Sequence, residues 1–409
     1  MSTASPQGRA FLVVIDSVGI GGAPDADQYF NGDVPDTGAN TLAHIAAACS
    51  AGQAEEGRSG PLQIPTLASL GVGAAMELAD GVTDHGLPAP ALGAWGAANE
   101  TSKGKDTPSG HWELAGVPVP WDWHTFPKTD PAFPDDLVVT ICEVAGTGGI
   151  LGNRHASGTT VIAEEGARHL KTGWPICYTS VDSVLQIAAH EEVFGLDRLL
   201  KLCDDIAPTL HAMKIGRVIA RPFVGDEKSG FTRTANRKDF AIAPPSETIC
   251  DYVSAAGRKV YGVGKIGDIF SMRGIDQCTK GRDAKLMEDL HGLAKEGVAG
   301  SLVFANLVEF DSEFGHRRNV SGYANHLEWF DRELAALLPK LNADDILIVT
   351  ADHGNDPTWV GTDHTRERVP VLVYGLGQRS LGQLDFADVA ASVAAHLDVP
   401  YKGQGRSFR

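Results

Sequence analysis

The chain has 409 residues, of which 43% are hydrophobic and 21% are charged, a composition typical of a soluble globular protein large enough for two domains. Its formal net charge of −17 excludes binding to nucleic acid or an anionic membrane through bulk electrostatic attraction. No segment approaches the roughly 20 apolar residues of a membrane span, and the polar N-terminus lacks the apolar length of a signal peptide. Six scattered cysteines without a Cys-x-x-Cys pair indicate free thiols, so we expect a cytoplasmic protein.

The predicted elements begin with an apolar strand at 11–15, which ends at Asp16 and leads into a glycine-rich turn at 17–22. A helix at 40–48 and a strand of small residues at 92–98 follow. The stretch 121–134 is rich in Pro and Trp and predicts an irregular linker. These features predict the first part of an α/β domain that stops near residue 120.

The rest of the chain alternates strands with helices. Helices are predicted at 161–170 and 193–214, and a helix start at Ser246 after two prolines. Strands are predicted at 176–179, 217–220, 259–263, 301–310 and 346–351. Such alternation indicates a mostly parallel sheet flanked by helices. Because Asp16 must meet ligands near the C-terminus, we expect a catalytic core of 1–120 and 243–409, with 121–242 inserted as a substrate-binding α/β cap over the site.

Acidic and imidazole side chains follow several of the apolar runs. Chemistry in open α/β sheets collects at the carboxyl ends of the strands, and carboxylates gathered there repel one another unless cations separate them. Six such groups exceed one tetrahedral site, so the sequence predicts two divalent ions, Mn, Zn, Mg or Fe. The predicted metal ligands are Asp16, Asp311, His316, Asp352, His353 and His364. Each alone is equally compatible with a helix cap, a turn or a solvated surface group; the combination favours metal.

Thr107 is the candidate side-chain nucleophile. Thr107 followed by Pro108 predicts a helix N-cap and first helical residue, and backbone N–H groups at such a terminus favour a phosphate on the hydroxyl. A neighbouring divalent ion would activate that hydroxyl. Locally, a structural helix start is the commoner role for Thr-Pro, and Ser109 is a rival by residue type.

Basic residues in the middle region form a candidate phosphate site. Arginine forks suit phosphate oxygens, and a lysine supplies a point charge. The predicted residues are Arg221, Arg233, Arg237 and Lys265. Ser180 and Asp182, after another strand, are candidates for binding sugar hydroxyls. The alternatives are a solvated face for the basic residues and a hydrogen-bonded helix cap for Ser180 and Asp182.

Longer motifs carry a resemblance to a known family that runs nearly end to end. The Asp-His-Gly triplet is shared across a superfamily, whereas the nine-residue motif that begins at Lys105 is far more specific. The motifs are Asp16-Ser-Val-Gly-Ile-Gly21, Lys105-Asp-Thr-Pro-Ser-Gly-His-Trp-Glu113, Ala156-Ser-Gly-Thr159, Tyr178-Thr-Ser-x-Asp-Ser183, Phe231-Thr-Arg-Thr-x-Asn-Arg-Lys-Asp239, Val263-Gly-Lys-Ile-Gly-Asp-Ile-Phe270 and Asp352-His-Gly-Asn-Asp356. With them the chain resembles the phosphopentomutases of the alkaline phosphatase superfamily. The family varies at Ser109, which makes that residue dispensable.

The resemblance implies an alkaline-phosphatase-like core with a cap and an isomerase that acts as an intramolecular phosphotransferase on ribose or deoxyribose 1-phosphate and 5-phosphate. One Mn²⁺ would take Asp16, Asp352 and His353, and the other Asp311, His316 and His364. Thr107 would bridge the metals and carry the phosphoryl group, primed by a sugar bisphosphate such as glucose 1,6-bisphosphate. We expect a monomer.

Three other classes of protein fit the metal ligands. A cofactor-independent phosphoglycerate mutase would place Ser where this chain has Thr107. A phosphatase or phosphodiesterase would release free phosphate, and a non-catalytic metal-stabilised protein would need no hydroxyl between its ions.

Overall fold

The computed structural model describes residues 8–83, 85–180 and 183–409, and these form two compact units. Unit 1 consists of the described residues of Met1–Pro120 and Pro244–Arg409, and unit 2 of those of Trp121–Ala243. These limits lie within one residue of the predicted division at 120 and 242. The roles predicted for the two parts, catalytic core and substrate-binding cap, are taken up as proposals below.

The described residues form sixteen strands, which are numbered in chain order. They are β1 Ala10–Ile15, β2 Phe30–Asn31, β3 Val34–Pro35, β4 Ala94–Asn99, β5 Leu151–His155, β6 Ile176–Thr179, β7 Val184–His190, β8 Arg217–Asp226, β9 Gly230–Arg233, β10 Lys238–Ala241, β11 Val260–Val263, β12 Gln277–Thr279, β13 Leu302–Leu307, β14 Ile346–Thr350, β15 Val369–Tyr374 and β16 Arg379–Asp385.

The α-helices are numbered in the same way. They are α1 Thr41–Ser50, α2 Pro65–Leu70, α3 Val72–Asp80, α4 Thr107–Leu114, α5 Asp135–Ala145, α6 Gly158–Thr172, α7 Leu196–Ala212, α8 Ile249–Ala255, α9 Ile266–Ile269, α10 Asp283–Glu296, α11 Val320–Leu337 and α12 Ala387–Leu397. Two π-helical turns, Glu191–Gly195 and Phe310–Gly315, precede α7 and α11. Within the described ranges, every helix is too short or too polar to cross a membrane.

Unit 1 is built on an eight-stranded sheet with the order β12-β11-β13-β1-β14-β15-β4-β16. β15 alone runs against its neighbours; the other adjacent pairs are parallel. Every residue of β1, β13 and β14 is buried, as expected for parallel strands covered on both faces. The predicted mostly parallel α/β sheet is therefore confirmed.

Unit 2 has its own sheet, in which β10-β8-β7-β6-β5 lie side by side and β9 pairs with β8. Parallel pairs (β5 with β6, β7 with β8) alternate with antiparallel ones. An apolar cluster that includes Ile141, Leu185 and Leu202 packs α5 and α7 on this sheet. The predicted strand at 217–220 was too short, because β8 continues to Asp226 through its pairing with β9.

The predicted helix start at Ser246 is wrong. Helix α8 begins at Ile249, and its N-cap is Thr248. The Asp251 carboxylate accepts a hydrogen bond from the Thr248 backbone N–H at 2.7 Å, as in a capping box. This cap fixes the start of the helix three residues after the predicted position. The prediction of unpaired cysteines is confirmed, since all six are free thiols.

Candidate metal centre and phosphate pocket

The candidate metal centre lies at one edge of the unit 1 sheet. Asp16 directly follows β1, and Asp352 comes two residues after β14. Asp311 follows β13 less directly, inside the turn Phe310–Gly315. Because β1 pairs in parallel with both β13 and β14, the carboxyl ends of all three strands meet at this edge.

All six predicted ligands come together there. One ligand atom each from Asp16, Asp352 and His353 lies within 4.8 Å of the others, and the same holds for Asp311, His353 and His364. His316 Nε2 is 3.1 Å from Asp311 Oδ2 and 3.1 Å from His364 Nε2. The two groups share His353, whose ring stacks on His364 with centroids 3.8 Å apart.

One oxygen of each carboxylate is held by the protein. Asn306 donates to Asp16 Oδ2 at 2.8 Å, and Asn355 donates to Asp311 Oδ1 at 2.7 Å. The Ser17 backbone N–H donates to Asp352 Oδ1 at 3.1 Å. The other oxygens of Asp16 and Asp352 are also buried: Asp16 Oδ1 has no hydrogen-bond partner, and Asp352 Oδ2 lies 3.1 Å from His111 Nδ1. Anchored carboxylates with a spare buried oxygen fit metal ligation.

The histidines are oriented in the same manner by backbone carbonyls. Nδ1 of His353 lies 3.1 Å from the Gly354 oxygen, Nδ1 of His364 2.7 Å from the Lys105 oxygen, and Nδ1 of His316 2.6 Å from the Thr362 oxygen. Because a carbonyl only accepts, each Nδ1 donates. Nε2 of each ring is therefore the nitrogen left to face the centre, the arrangement that metal-binding imidazoles adopt.

The charges at this centre are poorly balanced by the protein alone. Burial, together with the charges of Asp352 and Asp311, raises the pKa of Asp16 well above its usual value. Burial also lowers the pKa of His353 to about 4, which keeps this ring neutral. A divalent cation would offset the carboxylate repulsion and use the unpaired oxygens, so the residues present fit the metal.

His364 supplies a test of metal coordination. Burial disfavours its charged form, but the Asp311 carboxylate outweighs burial and raises the pKa of His364 to about 10. The metal-free protein at pH 8 therefore carries a proton that coordination must displace. We expect Mn²⁺ addition to release at least about one proton per chain, and Mn²⁺ affinity to rise with pH up to about 10.

A pH indicator in weakly buffered solution measures this release. His364→Gln is the comparison, because it removes the titrating ring and is expected to lower the number of protons released. Affinity that stays constant between pH 7 and 9 would contradict a protonated His364 at the site.

Thr107 lies beside the shared histidine. Its Oγ1 is 3.3 Å from His353 Nε2. The predicted cap is wrong in detail, since the N-cap of α4 is Asp106, whose Oδ1 accepts from the Ser109 N–H at 3.1 Å. Thr107 is the first helical residue because the Asp106 carboxylate, not the Thr hydroxyl, satisfies the free backbone donor. The Thr107 hydroxyl is thereby left available to the metal centre.

Ser109, the rival hydroxyl, is engaged elsewhere. Its Oγ donates to Asp106 Oδ2 at 2.8 Å, and its side chain is fully buried. The two hydroxyls of this short helix thus have different environments, one in the cap and one toward the centre.

Sequence reasoning missed several residues that shape the centre. His111 is fully buried, with Nδ1 2.9 Å from the Thr107 carbonyl and 3.1 Å from Asp352 Oδ2, so it links the Thr107 helix to a predicted ligand. Ser17 adopts a positive φ of 69°, which is uncommon for a non-glycine residue, and its N–H reaches Asp352. Two other residues that shape the centre could have been found from the sequence. Asn306 is a polar residue inside an apolar strand, and Asn355 directly follows the Asp-His-Gly triplet.

Three predicted phosphate-binding arginines meet in unit 2. Arg221 on β8 and Arg233 on β9 line a cavity of about 490 Å³ together with Arg237. Burial and the neighbouring positive charges of Arg237 and Arg233 lower the pKa of Arg221. The hydroxyl of Tyr178 is buried without a hydrogen-bond partner, and the arginine charges act on it electrostatically. The pocket is thus short of negative charge, although Arg237 donates to Asp239 at 2.7 Å.

The other predicted substrate residues are Lys265, Ser180 and Asp182. Lys265 belongs to unit 1, where it follows β11 and its charge lowers the pKa of Asp16, so it lies near the metal centre. Ser180 follows β6 in unit 2. Asp182 lies outside the described residues.

This sheet edge, with acidic and imidazole side chains around a hydroxyl, is typical of a metal-dependent hydrolase or transferase with an alkaline-phosphatase-like fold. A family model described as the metalloenzyme superfamily matches residues 8–401. Within that class, a phosphopentomutase of Methylobacterium nodulans is 55% identical over 411 residues, covering 98% of this chain and 99% of the relative. A phosphopentomutase of Allorhizobium ampelinum is 52% identical over 408 residues, with the same coverage.

The chain therefore belongs to the phosphopentomutase family of the metalloenzyme superfamily. The predicted family, fold class and enzyme class, an isomerase that moves a phosphoryl group, are confirmed, as is dependence on divalent metal. Among solved structures, a phosphoglycerate mutase of Leishmania mexicana is similar with a TM-score of 0.47 and 13% identity, covering 98% of this chain and 97% of that one.

Proposed function

We propose that this enzyme interconverts α-D-ribose 1-phosphate, or its 2-deoxy analogue, with the corresponding 5-phosphate through a phosphorylated Thr107. The observation that carries the proposal is the Thr107 hydroxyl, 3.3 Å from the histidine that the two ligand groups share. The relatives' names supply the pentose phosphate substrate. We also propose that the protein is a monomer and that it works in the cytoplasm.

The proposed reaction has two transfers. In the first, the free hydroxyl of the pentose phosphate attacks the phosphorus of phospho-Thr107, the bond from Thr107 Oγ1 to phosphorus breaks, and a pentose 1,5-bisphosphate forms. The attacking hydroxyl loses a proton and Thr107 regains one. In the second, Thr107 Oγ1 loses its proton and attacks the other phosphorus of the bisphosphate, and the bond from that phosphorus to the sugar oxygen breaks. The sugar oxygen takes up a proton, the isomeric monophosphate leaves, and phospho-Thr107 is restored.

The chain's residues serve this chemistry by position. Asp106 caps α4 and fixes the helix start, so Thr107 faces the centre at an N-terminus that favours a phosphate dianion. Backbone carbonyls aim the Nε2 atoms of the three histidines inward. We propose Asp16, Asp352 and His353 as the ligands of one ion and Asp311, His316 and His364 as those of the other, with Mn²⁺ as the metal.

Two divalent ions, when bound, supply positive charge for the attacking and leaving oxygens of an in-line transfer. Lys265, near the same edge, adds a further positive charge. A sugar bisphosphate such as glucose 1,6-bisphosphate would donate the first phosphoryl group to Thr107 and so start the cycle.

The arginine pocket of unit 2 is proposed to hold the non-reacting phosphate, and Ser180 and Asp182 to bind sugar hydroxyls. Guanidinium groups pair with phosphate oxygens in a planar, bidentate way, and three of them converge on one cavity. The buried Tyr178 hydroxyl adds a donor without a protein partner.

Arg233→Ala is expected to lower kcat/KM by about tenfold to 100-fold, because a hydrogen bond to a charged group contributes about 1.5–3 kcal/mol. Most of the loss should fall on KM, while the affinity for Mn²⁺ stays within about twofold. Initial rates over a range of ribose 1-phosphate concentrations, with a parallel Mn²⁺ titration, measure both.

Arg168→Ala is the matched control. Arg168 lies on the same unit, with 64% of its side chain exposed and an ion pair to Glu165, so its loss should leave the kinetics unchanged. Equal effects of the two substitutions, or an unchanged rate for Arg233→Ala at limiting substrate, would remove Arg233 from the phosphate site.

A product assay separates the proposal from its rivals. Purified enzyme with Mn²⁺ and ribose 1-phosphate should give ribose 5-phosphate, and a bisphosphate primer should increase the initial rate. Accumulation of free phosphate instead would indicate a phosphatase. Isomerisation of phosphoglycerate but not of pentose phosphate would indicate a phosphoglycerate mutase. Peptide mass spectrometry after priming should show a phosphate on Thr107, which a non-catalytic metal protein would lack.

A further inference from the structure

A second cluster of metal-type side chains lies in unit 1, outside the six proposed ligands. Asp283 begins helix α10, Glu309 lies between β13 and the turn Phe310–Gly315, and His326 is on α11. One ligand atom from each of the three lies within 4.8 Å of the others. Three separate elements thus deliver two carboxylates and one imidazole to the same place.

Internal hydrogen bonds account for part of this arrangement. Asp283 Oδ2 is 2.9 Å from His326 Nε2 and accepts from the Glu309 backbone N–H at 3.1 Å. Glu309 Oε2 in turn accepts from the Asp283 N–H at 3.1 Å. Arg282 also reaches Glu309 Oε1, but 81% of its side chain is exposed. An ordinary structural network would explain these contacts without any ion.

One atom is not explained by the network. Asp283 is fully buried, and its Oδ1 has no hydrogen-bond partner. A buried carboxylate oxygen without a donor is costly, and a bound cation is one of the few groups that removes the cost. This unpaired oxygen belongs to the residue that contacts both other members of the cluster.

The cluster is also accessible from a cavity, and the position of its histidine ring is fixed by packing. Glu309 and His326 line a cavity of about 340 Å³, through which an ion could enter. The His326 ring is held by Trp329, which stacks on it at 4.7 Å, and by the edge-on ring of Phe310 at 4.4 Å. Fixed ligands on three packed elements require little reorganisation to bind an ion.

We propose that Asp283, Glu309 and His326 form a third divalent cation site, separate from the centre at Thr107. One nitrogen and two carboxylate ligands suit a transition ion such as Mn²⁺ or Zn²⁺ better than Ca²⁺, which prefers an all-oxygen shell. Glu309 is two residues from Asp311, so an ion here ties α10 and α11 to the segment that carries Asp311. The site itself involves neither Thr107 nor substrate, but the expected total of three ions rests on the two ions of the proposed function.

Counting bound Mn²⁺ on the full-length protein tests the site. The wild type is equilibrated by dialysis at increasing Mn²⁺ concentrations, and bound metal is measured by elemental analysis. We expect saturation at three ions per chain. Saturation of the wild type and of His326→Gln at the same number of ions would overturn the proposal, whether the centre at Thr107 holds one ion or two.

His326→Gln and Asp283→Asn should each saturate at two ions per chain. His326 is only partly buried, so its variant should fold even if the substitution at the fully buried Asp283 does not. His291→Gln is the matched control, because His291 pairs with Glu333 at 3.1 Å on a neighbouring helical surface and belongs to none of the three clusters. Three ions bound by His326→Gln, or loss of one ion from His291→Gln as well, would also refute the assignment.

Discussion

Thr107→Ala is expected to lower mutase turnover at least about 1,000-fold, because removal of a covalent nucleophile leaves only substrate positioning and charge stabilisation. Saturation with Mn²⁺ should persist, since the six proposed ligands all come from other residues. Turnover of ribose 1-phosphate and bound Mn²⁺ per chain measure the two effects. Activity within about tenfold of wild type would remove Thr107 from the nucleophile role.

Ser109→Ala is the control for this experiment. It removes a hydroxyl from the same helix, two residues away, but that hydroxyl donates to Asp106 and serves the helix cap. We expect a loss of stability of about 1 kcal/mol, typical of a capping contact, with activity within a fewfold of wild type. If Ser109→Ala and Thr107→Ala were equally inactive, helix placement rather than the Thr107 hydroxyl would be the common cause.

Asp16→Asn is expected to have opposite effects on the metal-free and the metal-bound protein. Burial and two neighbouring carboxylates raise the pKa of Asp16, so the folded metal-free protein holds a proton there more tightly than the unfolded chain does. Stability therefore falls as the pH rises above the ordinary Asp value of 3.8, and the neutral Asn avoids this loss. At pH 8 we expect the Tm of the metal-free variant to rise by about 2–4 °C.

With Mn²⁺ present we expect the opposite order of Tm values, with the wild type more stable than Asp16→Asn. Wild-type protein at 1,000 times Kd gains about 4 kcal/mol from each bound ion, and the variant loses most of this gain at one site. Its activity should fall at least about 1,000-fold. Thermal unfolding with and without Mn²⁺, in the presence and absence of a chelator, gives all four values. A lower Tm for the metal-free variant would contradict carboxylate repulsion at the centre.

Asp345→Asn is the matched control for Asp16→Asn. Asp345 is also buried beside the sheet, but it forms an ion pair with Arg9 at 2.5 Å. Removal of the Asp345 charge leaves the buried Arg9 charge uncompensated, although Arg9 still donates to the Leu293 carbonyl, and such a loss costs about 3–5 kcal/mol. Asp345→Asn should therefore lower the Tm of the protein, while the number of Mn²⁺ ions bound per chain stays unchanged.

Much of the metal centre was predictable because its residues follow strands. Asp16 and Asp352 stand at the ends of apolar runs, and parallel strands place such residues at one edge. Asp311 was harder, since a π-helical turn separates it from the end of β13. The prediction of Asp311 as a ligand rested on residue type and resemblance, because apolar periodicity carries no information about an irregular turn.

The phosphate pocket depended more on tertiary structure than the metal centre did. Arg221, Arg233 and Arg237 were grouped by proximity in sequence, and pairing of β8 with β9 does bring two of their strands together. Lys265 was grouped with them by charge; it belongs to unit 1, and its role toward phosphate stays a prediction. Charge type predicts an affinity for phosphate, but which basic residues share a pocket depends on strand pairing.

The sequence by itself determined the α/β class, the family and the identity of the ligand-type residues, because apolar periodicity and side-chain chemistry are local properties. Only the tertiary structure decided that His353 belongs to both ligand groups and that Asp106 rather than Thr107 caps its helix. It also decided which carboxylate oxygens stay unpaired. The Asp106 cap depends on the local backbone conformation, and the unpaired oxygens depend on contacts between residues hundreds of positions apart, such as Asn306 with Asp16. A linear pattern encodes neither.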